Sequence, residues 1–131
     1  MNYLPENLKF EEGVAFINDF SLLDISSEHG TPLYVYDWEN IKNNISEFTT
    51  SFGNETLYRY AAKAFICKKL VTLLDENNWG VDVVSGGEMA TVLSAVGTLE
   101  NTLFNGTYKT CLLYTSPSPR DATLSRMPSS A

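Results

Sequence analysis

Histidine and cysteine are nearly missing from this chain of 131 residues: one histidine, His29, and two cysteines, Cys67 and Cys111. Without a Cys/His cluster there is no ligand set for a structural or catalytic zinc. Two thiols do not make a disulfide framework, and so sparse a cysteine content fits a reducing cytoplasm. Basic residues are also few, 9 Lys and Arg against 16 Asp and Glu, for a net charge of −7. That balance argues against nucleic-acid or anionic-membrane partners, which are met by basic patches. No apolar run reaches the roughly 18 residues a membrane span needs. Met1–Glu6 lacks a basic region followed by an apolar stretch, so no secretory signal is expected.

What the chain does contain is an alternation of short apolar runs and amphipathic stretches. Between Phe10 and Leu23, Val14, Ile17 and Phe20 are spaced as an amphipathic turn with few capping signals, and a partly irregular segment is expected. Leu33–Tyr36 is β-branched and aromatic, bounded by Gly30 and Pro32, and reads as a strand feeding a helix. From Asp37 the apolar residues Trp38, Ile41, Ile45 and Phe48 recur at helical spacing until Gly53-Asn54 ends the element. Leu57–Ala62 follows as a strand, and Cys67–Asn77 as a helix with Leu70, Val71, Leu73 and Leu74 inward. Val81–Val84 is the next strand, Gly86–Val96 a helix with Met89, Val92, Leu93 and Val96 on one face, and Leu103–Asn105 a third strand. Strand, helix, strand, helix, strand with short turns is the order of parallel βαβ units. Such units build open doubly wound sheets and closed barrels alike, and the pattern alone leaves both open.

Chemistry concentrates between Tyr60 and Glu88. A lone lysine, Lys63, closes the apolar run Tyr60-Ala61-Ala62 and is followed by Ala64. An amine buried among alanines loses hydration that its charged form needs, which favours the neutral, nucleophilic form. Such an amine condenses with an aldehyde, the linkage that holds pyridoxal phosphate in its enzymes. The ordinary alternative is a solvated lysine at a strand end. One helix later, Ser85-Gly86-Gly87-Glu88 has the form of a capping box, with Ser85 and Glu88 each able to satisfy a backbone donor at a helix start.

Four blocks, in order, resemble the diaminopimelate decarboxylase family of barrel-type pyridoxal-phosphate enzymes. They are His29–Asp37, Tyr60–Phe65, Val81–Glu88 and Leu103–Thr110. The resemblance implies an α/β fold, a (β/α)8 TIM barrel of the alanine-racemase type, truncated here after about three barrel strands. It implies that residues 1–52 contribute to a β-rich domain and a lead-in helix, and that residues 53–110 begin the cofactor-binding barrel. It further implies pyridoxal 5'-phosphate as cofactor, with Lys63 as the catalytic lysine that binds it. The activity implied is decarboxylation of meso-2,6-diaminopimelate to L-lysine, by a cytoplasmic homodimer acting on a small amino acid.

Two further residues are candidates for cofactor contact. Asp82 either faces the barrel interior, where its charge bears on the Lys63 nitrogen, or is a polar strand residue bonded to a neighbour. Ser85 either approaches the cofactor or serves only as the helix cap. His29 and Lys109 read as surface residues, and Trp38, Phe48 and Trp79 as packing groups. The family's substrate-specifying residues fall beyond Thr110, so decarboxylases of ornithine, arginine or carboxynorspermidine stay open as alternatives. A catalytically dead regulatory homologue stays open as well.

From Cys111 the composition shifts to Ser and Pro with neither helical nor strand period. Cys111–Asp121 back-translates into read-through of a transposase adapter used in sequencing libraries. Ser125–Ala131 fits the adjoining adapter end, with Ala122-Thr123-Leu124 left to an index. Residues 111–131 are therefore expected to be foreign to the natural gene and are set aside from fold reasoning. Three strands of a barrel leave apolar faces and sheet edges uncovered, so this stretch by itself is expected to be inactive.

Overall fold

The computed structural model describes residues 7–106. The chain divides into two compact units, with the division between Asn44 and Ile45.

The first unit opens with a small antiparallel sheet of three strands, β1 (Leu8–Glu11), β2 (Val14–Ile17) and β3 (Phe20–Ser21), in the order β1-β2-β3. Glu11 faces Val14 in register, leaving Glu12 and Gly13 as a two-residue loop, both with positive φ (49° and 82°). That is the backbone a tight hairpin of this hand requires. At the second loop Asn18 takes φ 53° and its N–H donates to the Asn7 carbonyl at 2.8 Å. The expectation of a partly irregular Phe10–Leu23 is thus corrected. The three-residue spacing of Val14, Ile17 and Phe20 imitates a helical turn, whereas Glu12-Gly13 and Asn18-Asp19 are turn dipeptides that fold the segment into hairpins.

Helix α1 (Leu22–His29) follows at once, capped by Ser21, whose Oγ accepts the Asp24 N–H at 3.2 Å. It stops at Gly30, where φ is 80°. Leu33–Tyr36 is not a strand. Tyr34 stands 89% exposed, and no ladder partner runs beside this segment among the described residues. β-branched and aromatic residues favour a strand only where a pleated neighbour receives them. Asp37 then caps α2 (Trp38–Phe52), its Oδ1 accepting the Asn40 N–H at 3.0 Å, while Oδ2 accepts the side-chain amides of Asn7 (2.7 Å) and Asn18 (2.8 Å). These three donors hold the Asp37 carboxyl below its ordinary value of 3.8, the Asn40 backbone bond contributing most.

The second unit carries a parallel sheet, β4 (Arg59–Ala61), β5 (Gly80–Val83) and β6 (Thr102–Phe104), in the order β4-β5-β6. Between its strands lie α3 (Lys68–Glu76) and α4 (Gly86–Val96), which pack on each other and on β5. The core is the interface between helices and sheet. Leu70, Val71 and Leu74 of α3 and Val92 of α4 are buried, as are Val81, Val83 and Phe104. The helical period thus orients α3 as expected, with Leu73 at its half-buried margin. Two inward assignments are corrected: Phe48 is 53% and Leu93 49% exposed, because each sits at the edge of an apolar stripe wider than the surface available to cover it.

The end of α2 is tied down by aromatics. Tyr58 stacks on Trp79 with centroids 4.8 Å apart, and Phe48 meets Trp79 edge-on at 6.3 Å. The Trp79 indole N–H donates to Thr49 Oγ1 at 3.2 Å, and the Tyr58 hydroxyl donates to the Gly53 carbonyl at 2.8 Å. Phe48 and Trp79 are thus packing groups, Phe48 at the exposed margin of the cluster.

Candidate active site at the strand ends

Parallel strands deliver their C-terminal ends to one edge of the sheet, and the sequence candidates gather there. Ala61 of β4 lies opposite Asp82 of β5, which lies opposite Leu103 of β6. Lys63 follows two residues after Ala61, in a turn closed by the Ala64 N–H to the Ala61 carbonyl (3.2 Å). The Tyr60 hydroxyl donates to the Phe65 carbonyl at 2.8 Å, cinching the loop that carries Lys63. On its N-terminal side the Ala62 N–H donates to the Asp82 carbonyl at 2.8 Å, so the lysine leaves the sheet directly beside β5.

Lys63 itself is exposed, and so are Ala61 and Ala64, with only Ala62 buried at 2%. The expected enclosure of its amine by alanine is corrected. A three-stranded open sheet presents its strand ends to solvent, and walls on the remaining sides would have to come from other strands. What the local sequence does fix is the position of Lys63, on a short loop anchored at both ends.

Asp82 belongs to the sheet face turned away from the helices. Its neighbours Val81 and Val83 are buried at 4% and 0% on the helix side, and strand alternation sends Asp82 to the other. Its Oδ2 accepts the Asn105 side-chain amide at 2.8 Å. Its Oδ1 is buried and has no hydrogen-bond partner among the described residues. A buried carboxylate oxygen without a donor is costly.

Ser85 caps α4, its Oγ accepting the Glu88 N–H at 3.2 Å. Glu88 reaches back to the Val84 N–H at 2.7 Å, one residue earlier than the usual capping box. Gly86 and Gly87 leave the first two positions of α4 without side chains. His29 is a surface residue, 4.0 Å from Glu28, while Lys109 lies outside the described residues. Asn105 was not singled out from sequence. The available signal was its place, two residues past Leu103 in the register that aligns Ala61, Asp82 and Leu103.

A sequence profile described as "Pyridoxal-dependent decarboxylase, pyridoxal binding domain" matches residues 38–112, more than half of the chain. The chain belongs to the pyridoxal-dependent decarboxylase family. It is 40% identical over 95 residues to diaminopimelate decarboxylase of Mycobacterium leprae, covering 72% of this chain and 20% of that protein. Among solved structures, one from Aquifex aeolicus matches with a TM-score of 0.69 at 36% identity, covering 79% of this chain and 26% of that one. A second, diaminopimelate decarboxylase from M. jannaschii in co-complex with L-lysine, matches at 0.62 and 30%, covering 80% and 26%. The chain thus spans about a fifth to a quarter of the length of the curated relatives it matches.

The site suits the cofactor of this pyridoxal-dependent decarboxylase family. The exposed Lys63 follows the end of the first parallel strand, and Asp82 on the next holds a buried acceptor oxygen without a partner among the described residues. Among the described residues no group of His, Cys, Asp and Glu could hold a metal ion, and no helix is long and apolar enough to cross a membrane.

Proposed function

We propose that the whole protein decarboxylates meso-2,6-diaminopimelate to L-lysine and carbon dioxide with pyridoxal 5'-phosphate. The reading is carried by Lys63, an exposed amine on a loop pinned at the C-terminal end of the first parallel strand, inside the stretch matching the pyridoxal-binding domain. The relatives' names and the solved relative in complex with L-lysine support the choice of substrate. When bound, the cofactor supplies an electron-withdrawing ring that accepts the electron pair released as carbon dioxide departs. Lys63 would hold the cofactor aldehyde through its amine. Asp82 offers a fixed acceptor on the face of the sheet from which Lys63 leaves. Ser85 sets the first turn of α4, whose free backbone N–H groups suit an anion.

In this reading β4, β5 and β6 are the first three strands of an eight-stranded barrel. Residues 1–52 belong to the β-rich domain and lead-in helix, residues 53–110 open the barrel, and residues 111–131 are foreign to the gene. The protein works as a cytoplasmic homodimer on a small amino acid, with neither nucleic acid nor membrane as partner. The free thiol of Cys67 is in keeping with that compartment.

The test is Lys63→Ala in the full-length protein. Borohydride reduction followed by peptide mass mapping should place the cofactor on Lys63 in the parent and nowhere in the variant, and lysine formation should fall by several orders of magnitude. Retained turnover, or a cofactor fixed to another lysine, would refute the assignment.

A further inference from the structure

We propose that Asn105 is a positioning residue for Asp82, clamping one carboxylate oxygen so that the carboxylate keeps a single orientation on the sheet face from which Lys63 leaves. The inference rests on the proposed function and assigns a role to a residue of the fourth motif block that the lysine chemistry itself does not require.

Three observations carry it. First, the face is shared. Val81, Val83 and Phe104 are buried against the helices, so the alternate residues Asp82 and Leu103 turn the other way, as does Ala61, which is in register with both. Lys63 and Asn105 each stand two residues beyond their strand's member of that row, at the same end of the sheet. Second, the carboxylate is divided in its partners. Asn105 Nδ2 donates to Oδ2 at 2.8 Å, while Oδ1 is buried with no partner among the described residues. A carboxylate free to turn would trade its two oxygens, and a donor on one side removes that freedom.

Third, the backbone fixes the donor. The Asn105 N–H donates to the Val83 carbonyl at 2.9 Å. At Gly106 a Cβ would run into the Val84 carbonyl and lie 2.6 Å from the Phe104 ring, so the chain leaves β6 pressed against the end of β5. Asn105 is thereby held across from Asp82 by main chain on both sides. An amide is the fitting group there. It donates to a carboxylate without adding a charge that would compete with the amine for Asp82.

The experiment is a double-mutant cycle on the affinity of the full-length, cofactor-free protein for pyridoxal phosphate, read from the visible absorbance of the bound form. Asn105→Ala should weaken retention roughly tenfold, the scale of one hydrogen bond to a charged group. In an Asp82→Ala background the same substitution should change retention less than about twofold, because the residue acts through Asp82. Asn105→Asp, matched in shape but unable to donate when ionised, should lose at least as much as Asn105→Ala, with far-UV circular dichroism unchanged. An undiminished tenfold effect of Asn105→Ala without Asp82, or parental retention by Asn105→Asp, overturns the proposal. Failure of the parent to carry the cofactor on Lys63 is a separate outcome, which overturns the functional reading and this inference with it.

Discussion

Replacing Trp79 by leucine should loosen the end of α2 by an amount the structure allows to be worked out. Trp79 makes two aromatic contacts, the stack on Tyr58 at 4.8 Å and 11° and the edge contact with Phe48 at 6.3 Å and 81°. Each is worth about 0.5–1.5 kcal/mol beyond its area. The indole bond to Thr49 adds about 1 kcal/mol. Trp79 is only half-buried, so the lower ends apply, and the sum is about 2 kcal/mol. This interaction ties the last turns of α2 to the α3–β5 turn, and its loss falls on local opening of that helix end. Hydrogen exchange of the Gly53 amide, which donates to the Thr49 carbonyl at 3.0 Å, should accelerate about thirtyfold in Trp79→Leu, as 2 kcal/mol requires at about 1.4 kcal/mol per decade. Tyr58→Leu added to Trp79→Leu should cost less than the two changes summed, since they share the stack. Exchange at Gly53 within twofold of the parent in Trp79→Leu would show that the aromatic cluster does not hold the helix end.

Gly106→Ala should destabilise the strand-end turn by about 1–3 kcal/mol, the usual penalty for overpacking, because its Cβ meets the Val84 carbonyl and the Phe104 ring. A parental thermal midpoint in that variant would contradict the close approach. Asp37 should give the first unit an acid-sensitive contribution. Its folded value lies below the ordinary 3.8, so the stabilisation is fully present above that pH and is lost as pH falls through the lower folded value. Asp37→Asn should therefore flatten the loss of α1–α2 protection below pH 4 in hydrogen exchange, and an unchanged acid profile would show that the three donors do not favour the ionised form.

The parallel unit was legible because its signals are local and agree with one another. Val81 and Val83 are β-branched, Ser85 and Glu88 announce a helix start, and Leu70, Val71 and Leu74 keep helical spacing. Gly86–Val96 is found with the bounds the sequence suggested, and the strands differ from expectation by a residue or two at their ends. Leu33–Tyr36 misled because its composition fits a sheet while its neighbours supply none. The hairpins at Glu12-Gly13 and Asn18-Asp19 were hidden by chance spacing of Val14, Ile17 and Phe20. At the site, Lys63 and Asp82 could be named from type and position. The Asn105 bond could not, because it depends on the register of two strands and joins residues 23 apart, which no local pattern states.

The Ser85 and Glu88 bonds at the start of α4 have a consequence for how a ligand is received. Both join groups within one turn of the chain, the hydroxyl oxygen with the Glu88 N–H and the carboxylate with the Val84 N–H. The rim between β5 and α4 is thereby shaped before any visitor arrives. A molecule docking there would find its wall already standing, and little of its affinity would be consumed in freezing the chain.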